Sequence, residues 1–103
     1  MAEIVITETT MVTCENGLHI RPAEQLARLA NRYASQIGVI YESQRVDAKS
    51  IMDLLTLGAQ HGASVVIEAR GNDAEAAVKS ILELFASDFS NADATGDGES
   101  RSL

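Results

Sequence analysis

Tryptophan is missing from this chain of 103 residues, and its aromatics are only two tyrosines and two phenylalanines, so its core must be mainly aliphatic. With 46% hydrophobic residues, one small domain can form without staples. A single cysteine, Cys14, excludes an internal disulfide. Basic residues are scarce: eight Lys and Arg stand against fifteen Asp and Glu, giving a formal net charge of -7. That balance excludes a nucleic-acid partner, whose phosphates demand a basic face. No apolar run approaches the roughly 20 residues of a membrane span. Met1 to Thr10 alternate and are acidic, where a signal peptide would start basic and turn apolar. The two histidines and one cysteine lie far apart and form no metal motif. No repeat of 20–50 residues is present. The expectation is a cytoplasmic protein with no membrane segment and no cofactor.

The one proline, Pro22, marks the stretch around which the chain is organised: Asn16-Gly17-Leu18-His19-Ile20-Arg21-Pro22-Ala23. Ala23, Leu26, Ala27 and Ala30 recur at the spacing of a buried helix face. Pro22 lacks an N–H, which costs little in a first helical turn because those donors have no intrahelical partner. The helix therefore starts near His19 or Ile20. Its free N–H groups and positive dipole end lie beside an imidazole and a guanidinium, an anion site with a nucleophile in it. A phosphoryl group carried covalently on His19 is the simplest anion to expect there.

Other elements follow from pattern. Ile4 to Cys14, rich in β-branched residues, reads as a first strand. Glu15-Asn16-Gly17 reads as a turn. The first helix is expected from about Ile20 to Tyr33, and a second strand from Gln36 to Glu42. Ser43-Gln44 leads into a short strand at Arg45-Val46-Asp47. Ser50, with Asp53 three residues on, has the form of a capping box opening a second helix with Ile51, Leu54, Leu55 and Leu57 as its apolar residues. Gly58 and Gly62 bracket its exit. Ala63 to Arg70 alternates as a strand, and Asp73 is a candidate N-cap for a third helix that buries Val78, Ile81, Leu82 and Phe85. The order βαββαβα predicts an α+β fold: an open-faced two-layer sandwich, a four-stranded antiparallel sheet with three helices on one face. Residues 1–89 form the domain, and residues 90–103, without apolar period, are expected to be a disordered acidic tail.

Two stretches resemble one family. Gly17-Leu18-His19-Ile20-Arg21-Pro22-Ala23 resembles the active-site segment of HPr, the histidine-containing phosphocarrier of the bacterial phosphoenolpyruvate-dependent phosphotransferase system. Asp47-Ala48-Lys49-Ser50-Ile51-Met52, followed by Leu57-Gly58, resembles that family's regulatory serine segment. The resemblance implies a phosphoryl carrier rather than an enzyme. Phospho-Enzyme I would load His19 at Nδ1, and an EIIA-type acceptor would unload it for sugar uptake. Arg21 would stabilise phosphoryl charge, the backbone N–H groups of Ile20 and Arg21 would cradle its oxygens, and Ser50 would be a regulatory phosphorylation site for HPr kinase/phosphorylase in lineages that have it. Ile20, Ile51, Met52 and Leu55 would form the patch that docks these transient partners on a monomer. Glu24 and Asp53 depart from the basic or neutral residues often found there, which bears on who the partners are. A carrier of a regulatory, nitrogen-type branch is the alternative within the family, and a ferredoxin-like binding module without phosphoryl chemistry is the alternative outside it.

Each residue also has a plainer reading. His19 could be a helix-start histidine without chemistry. Arg21 could pair at the surface with Glu24 or Glu15, a contact worth roughly 0–1 kcal/mol. Ser50 could be only an N-cap, worth about 1 kcal/mol. His61, between Gly58 and Gly62, is expected to be exposed and inert, and Cys14 to be a small buried apolar residue.

Overall fold

The computed structural model describes residues 3–89. The expected tail over residues 90–103 lies outside them. Seven elements appear in the expected order: β1 (Val5–Met11), α1 (Ile20–Ala30), β2 (Gln36–Tyr41), β3 (Gln44–Asp47), α2 (Ile51–Leu57), β4 (Ser64–Arg70) and α3 (Ala74–Ala86). The strands form one antiparallel sheet in the order β1-β4-β2-β3.

Register puts apolar residues in rows across the sheet. Ile6, Ala69 and Ile37 stand opposite one another in one row, and Glu8, Ile67, Val39 and Val46 in the next. Ile67, Val39 and Ala69 are fully buried, together with Val65. The period of two read from β4 thus points its core residues at the helices. The helices return Leu26, Ala27 and Ala30 from α1, Leu54 and Leu57 from α2, and Val78, Ile81, Leu84 and Phe85 from α3. Leu82 is only half-buried, and Leu84, not foreseen for this face, is buried in its place.

The other face of the sheet is open. There Gly38 gives the guanidinium of Arg45 room to lie across β2, since a Cβ at that position would stand 2.7 Å from Arg45 Cζ. Arg45 Nε and Nη2 donate to Glu68 Oε1 at 3.0 and 2.7 Å.

The larger differences from expectation each have a physical cause. α1 stops at Ala30 rather than Tyr33, because Arg32 and Tyr33 donate to Leu29 and Ala30, three residues back, and the last turn tightens. Asn31 completes the stop: its side-chain amide donates to Ala27 O at 2.8 Å and to Lys49 O at 3.1 Å. β1 is shorter than Ile4–Cys14, because Val12 leaves the ladder to exchange bonds with Gly62 and Ala63 in the loop before β4. Asp73 is the N-cap residue of α3, as expected, but its side chain makes no capping bond. Its carboxylate accepts from the N–H groups of Ala34 and Ser35 at 2.8 and 2.9 Å and from the Ser35 hydroxyl, tying the start of α3 to the start of β2.

Candidate functional site

The loop carrying His19 is held from below. After Val12 and Cys14 enter the core, Gly17 N–H closes a turn on Cys14 O at 3.0 Å. Gly17 adopts φ 73°, and a Cβ there would lie 2.6 Å from Ala59 O and 2.8 Å from Gln60 Cα. Only glycine meets both conditions. Leu18, buried, then donates its N–H to Ala59 O at 2.9 Å. His61 Nδ1 stands 3.2 Å from Cys14 O, so His61 is exposed as expected but its ring contacts the same loop. The segment after α2 is therefore the floor on which the His19 loop rests. Sequence patterning marks Gly58 and Gly62 as a helix exit but carries no sign of this docking.

His19 is the N-cap residue of α1, in extended backbone, and its imidazole makes no capping bond. The side chain is exposed. The first intrahelical bond runs from Ala23 N–H to His19 O at 3.0 Å. The N–H groups of Ile20 and Arg21 therefore precede the helical ladder, and Pro22 contributes none. The first turn of α1 holds no acidic residue to offset its positive end. Glu24 stands 3.4 Å from the guanidinium of Arg28.

His19 and Arg21 line a cleft of about 220 Å³ together with Cys14, Glu15, Pro22, Gln25, Asp88 and Phe89. Asp88 and Phe89 escape sequence reasoning, because they follow the last periodic residue of α3 and no motif includes them. The structure brings them in with a hook. Asp88 N–H donates to Phe85 O at 3.0 Å and Phe89 N–H to Leu84 O at 2.9 Å, the bond pair of a Schellman motif. Phe89 packs edge-on against Phe85 with ring centroids 4.9 Å apart. Thr13 Oγ1 donates to Asp88 Oδ1 at 3.0 Å. Cys14 is buried, as expected, and burial and the Asp88 carboxylate both push its thiol up.

The second motif forms the start of α2. Ser50 Oγ accepts from Asp53 N–H at 3.2 Å, the first half of a capping box. The return half goes elsewhere: Asp53 Oδ2 faces Asp47 N–H at 3.4 Å, not the Ser50 amide, which donates to Asp47 O. Met52 is 71% exposed and Ile20 65% exposed, while Ile51 and Leu55 are half-buried against the core. No group of three or more potential ligands among the described residues is placed to hold a metal ion. No helix among them is long and apolar enough to cross a membrane.

Comparison with known proteins agrees with this geometry. Residues 6–87 match the family described as the PTS HPr component phosphorylation site. The chain belongs to the HPr family. HPr proteins are phosphocarriers of the phosphotransferase system, and solved HPr structures share this fold. HPr from Thermoanaerobacter tengcongensis is 37% identical over 86% of this chain and 96% of its own, with a TM-score of 0.75. The phosphocarrier protein HPr of Bacillus anthracis is 31% identical over 79% of this chain and 96% of its own, also at 0.75. Crh, the catabolite repression HPr of Bacillus subtilis, is 30% identical over 80% of this chain and 93% of its own, with a TM-score of 0.63, and its crystal structure is described as a domain-swapped dimer.

Proposed function

We propose that this HPr-family protein takes a phosphoryl group from phospho-Enzyme I onto Nδ1 of His19 and passes it to an EIIA-type acceptor for sugar uptake. The observation that carries this reading is the placement of His19. It is an exposed imidazole free of capping duty, at the positive end of a helix, in one cleft with Arg21. On loading, the Nδ1 lone pair forms the bond to phosphorus. The bond from phosphorus to the donor breaks, its electrons staying with the donor, and Nε2 keeps its proton. Arg21 offers a planar fork to the phosphoryl oxygens, and the N–H groups of Ile20 and Arg21 lie on the same helix end. Unloading is the same displacement at an acceptor.

In this reading the chain carries the group and turns over no substrate of its own. It works as a cytoplasmic monomer, and its partners dock transiently on Ile20, Ile51, Met52 and Leu55. Ser50 is the regulatory site, for a kinase/phosphorylase of the HPr type. The acidic surface supports a second reading, a carrier of a nitrogen-type regulatory branch: the net charge is -7, and Glu24 and Asp53 stand beside the two motifs. Incubation with Enzyme I and labelled phosphoenolpyruvate tests the core of the proposal. The wild type takes up acid-labile label and His19→Ala takes up none, with an unchanged circular dichroism spectrum because the side chain is outside the core. Label on His19→Ala would refute the site. Transfer onward to sugar-specific or nitrogen-type EIIA proteins separates the two branches.

A further inference from the structure

The cleft that holds the His19 motif is also lined by an aspartate that the local backbone disfavours twice. Asp88 holds φ 58° at the position of a Schellman motif where glycine is the usual residue. It also places a carboxylate at the negative end of α3, where the helix dipole opposes it. Residues that break local rules in this way tend to mark function. Asp88 is held in place by Thr13 Oγ1 and by Phe89, buried against Phe85. Glu15 also lines the cleft, and Asp88 is the acid held to its wall by the Thr13 hydroxyl. Burial and this same carboxylate push up the thiol of Cys14, another lining residue.

We propose that Asp88 is an electrostatic element of phosphoryl exchange, whose fixed negative charge opposes the phosphoryl group on His19 and keeps the phosphohistidine poised for transfer. The proposal rests on the carrier reading of His19. Asp88 forms no bond to phosphorus and moves no proton. Arg21 and the helix end favour the loaded state, and Asp88 offsets part of that attraction, so the group is accepted without being trapped.

The test uses the full chain, with Enzyme I, phosphoenolpyruvate and pyruvate at fixed ratios. The equilibrium phosphorylated fraction is read by phosphorus NMR or gel shift for wild type, Asp88→Asn and Asp88→Glu. Asparagine tolerates the left-handed backbone and still accepts from Thr13, so the hook survives. Asp88→Asn is expected to favour the phosphorylated form by about 2- to 5-fold, the size of one exposed charge interaction. That shift should shrink in high salt, and Asp88→Glu should restore the wild-type equilibrium. Equal equilibria for wild type and Asp88→Asn, or a shift indifferent to salt, would overturn the role of Asp88 while leaving the carrier reading intact. Failure of the wild type to take up any phosphoryl group would overturn both.

Discussion

Replacing Gly17 with alanine tests whether the floor beneath the His19 loop holds the site together. Three costs combine in Gly17→Ala. An alanine at φ 73° pays a left-handed penalty of about 1 kcal/mol, after allowing for the stiffer unfolded chain. Its Cβ would meet Ala59 O at 2.6 Å and Gln60 Cα at 2.8 Å, both backbone atoms, so the loops must part; overpacking of this kind costs about 1–3 kcal/mol. Parting them strains or breaks the 2.9 Å bond from Leu18 N–H to Ala59 O, worth about 0.5–1.5 kcal/mol. The sum is about 2.5–5.5 kcal/mol. Gly58→Ala is the matched control, with φ 69° and open space around the new Cβ. It should cost only the backbone term, about 1 kcal/mol. Thermal melts should show Gly17→Ala lower by about 10 °C or more and Gly58→Ala by roughly 4–8 °C. Label transfer from Enzyme I should fall for Gly17→Ala below its own melting transition and stay near wild type for Gly58→Ala. If the two variants melt together, the loop-to-loop contact contributes nothing and the reasoning about the floor fails.

Arg21→Lys keeps the charge but loses the planar fork, so most of the transfer rate should disappear in a timed assay while the melting temperature holds; equal rates would remove Arg21 from its role. Ser50→Asp should shift stability by about 1 kcal/mol or less, since a negative charge suits the start of α2, yet slow loading of His19 by repelling a phosphorylated partner. Ser50→Ala, which loses only the cap, should melt lower by about 1 kcal/mol and transfer normally, and Ser50→Asp transferring as fast as wild type would reduce Ser50 to a cap. Asp73 has its carboxyl held below the usual range, first by the Ser35 hydroxyl and then by the Ala34 N–H. Its contribution is therefore full above the unfolded value of about 3.9 and is lost as pH falls through the lower folded value. Asp73→Asn should melt below wild type at neutral pH, and the gap should close in acid; a gap that persists unchanged below pH 3 would refute the linkage.

What could be read from the sequence was whatever rests on local periodicity. The alternation of Val65, Ile67 and Ala69 and the spacing of Ala23, Leu26, Ala27 and Ala30 are set within one element, and the structure buries all of them. Ser50 as a cap is likewise local, and its oxygen does accept from Asp53 N–H. Asp73 has the same local signature and behaves differently, because Ala34 and Ser35, far away in the chain, present three donors to its carboxylate. A side chain with two possible partners goes to the richer set, and only the fold brings that set near. The cleft divides in the same way. His19, Arg21 and Pro22 lie in one motif, whereas Asp88 and Phe89 arrive through a tertiary hook that no spacing encodes. Gly17 was legible as a turn residue; that its missing side chain leaves room for Ala59 was not.

The seat of Gly17 on Ala59 and Gln60 also limits how this chain can vary. A surface segment such as Gly58 to Ala63, with no chemistry of its own, would ordinarily accept added or deleted residues. Here its length is fixed from both ends. Gly58 closes α2, Gly62 and Ala63 are bonded to Val12, and between them Ala59 O must reach Leu18 N–H. One inserted residue would lift that carbonyl from under the His19 loop. The stretch is thus as intolerant of length change as the histidine motif itself, although the exposed side chain at position 60 remains open to substitution.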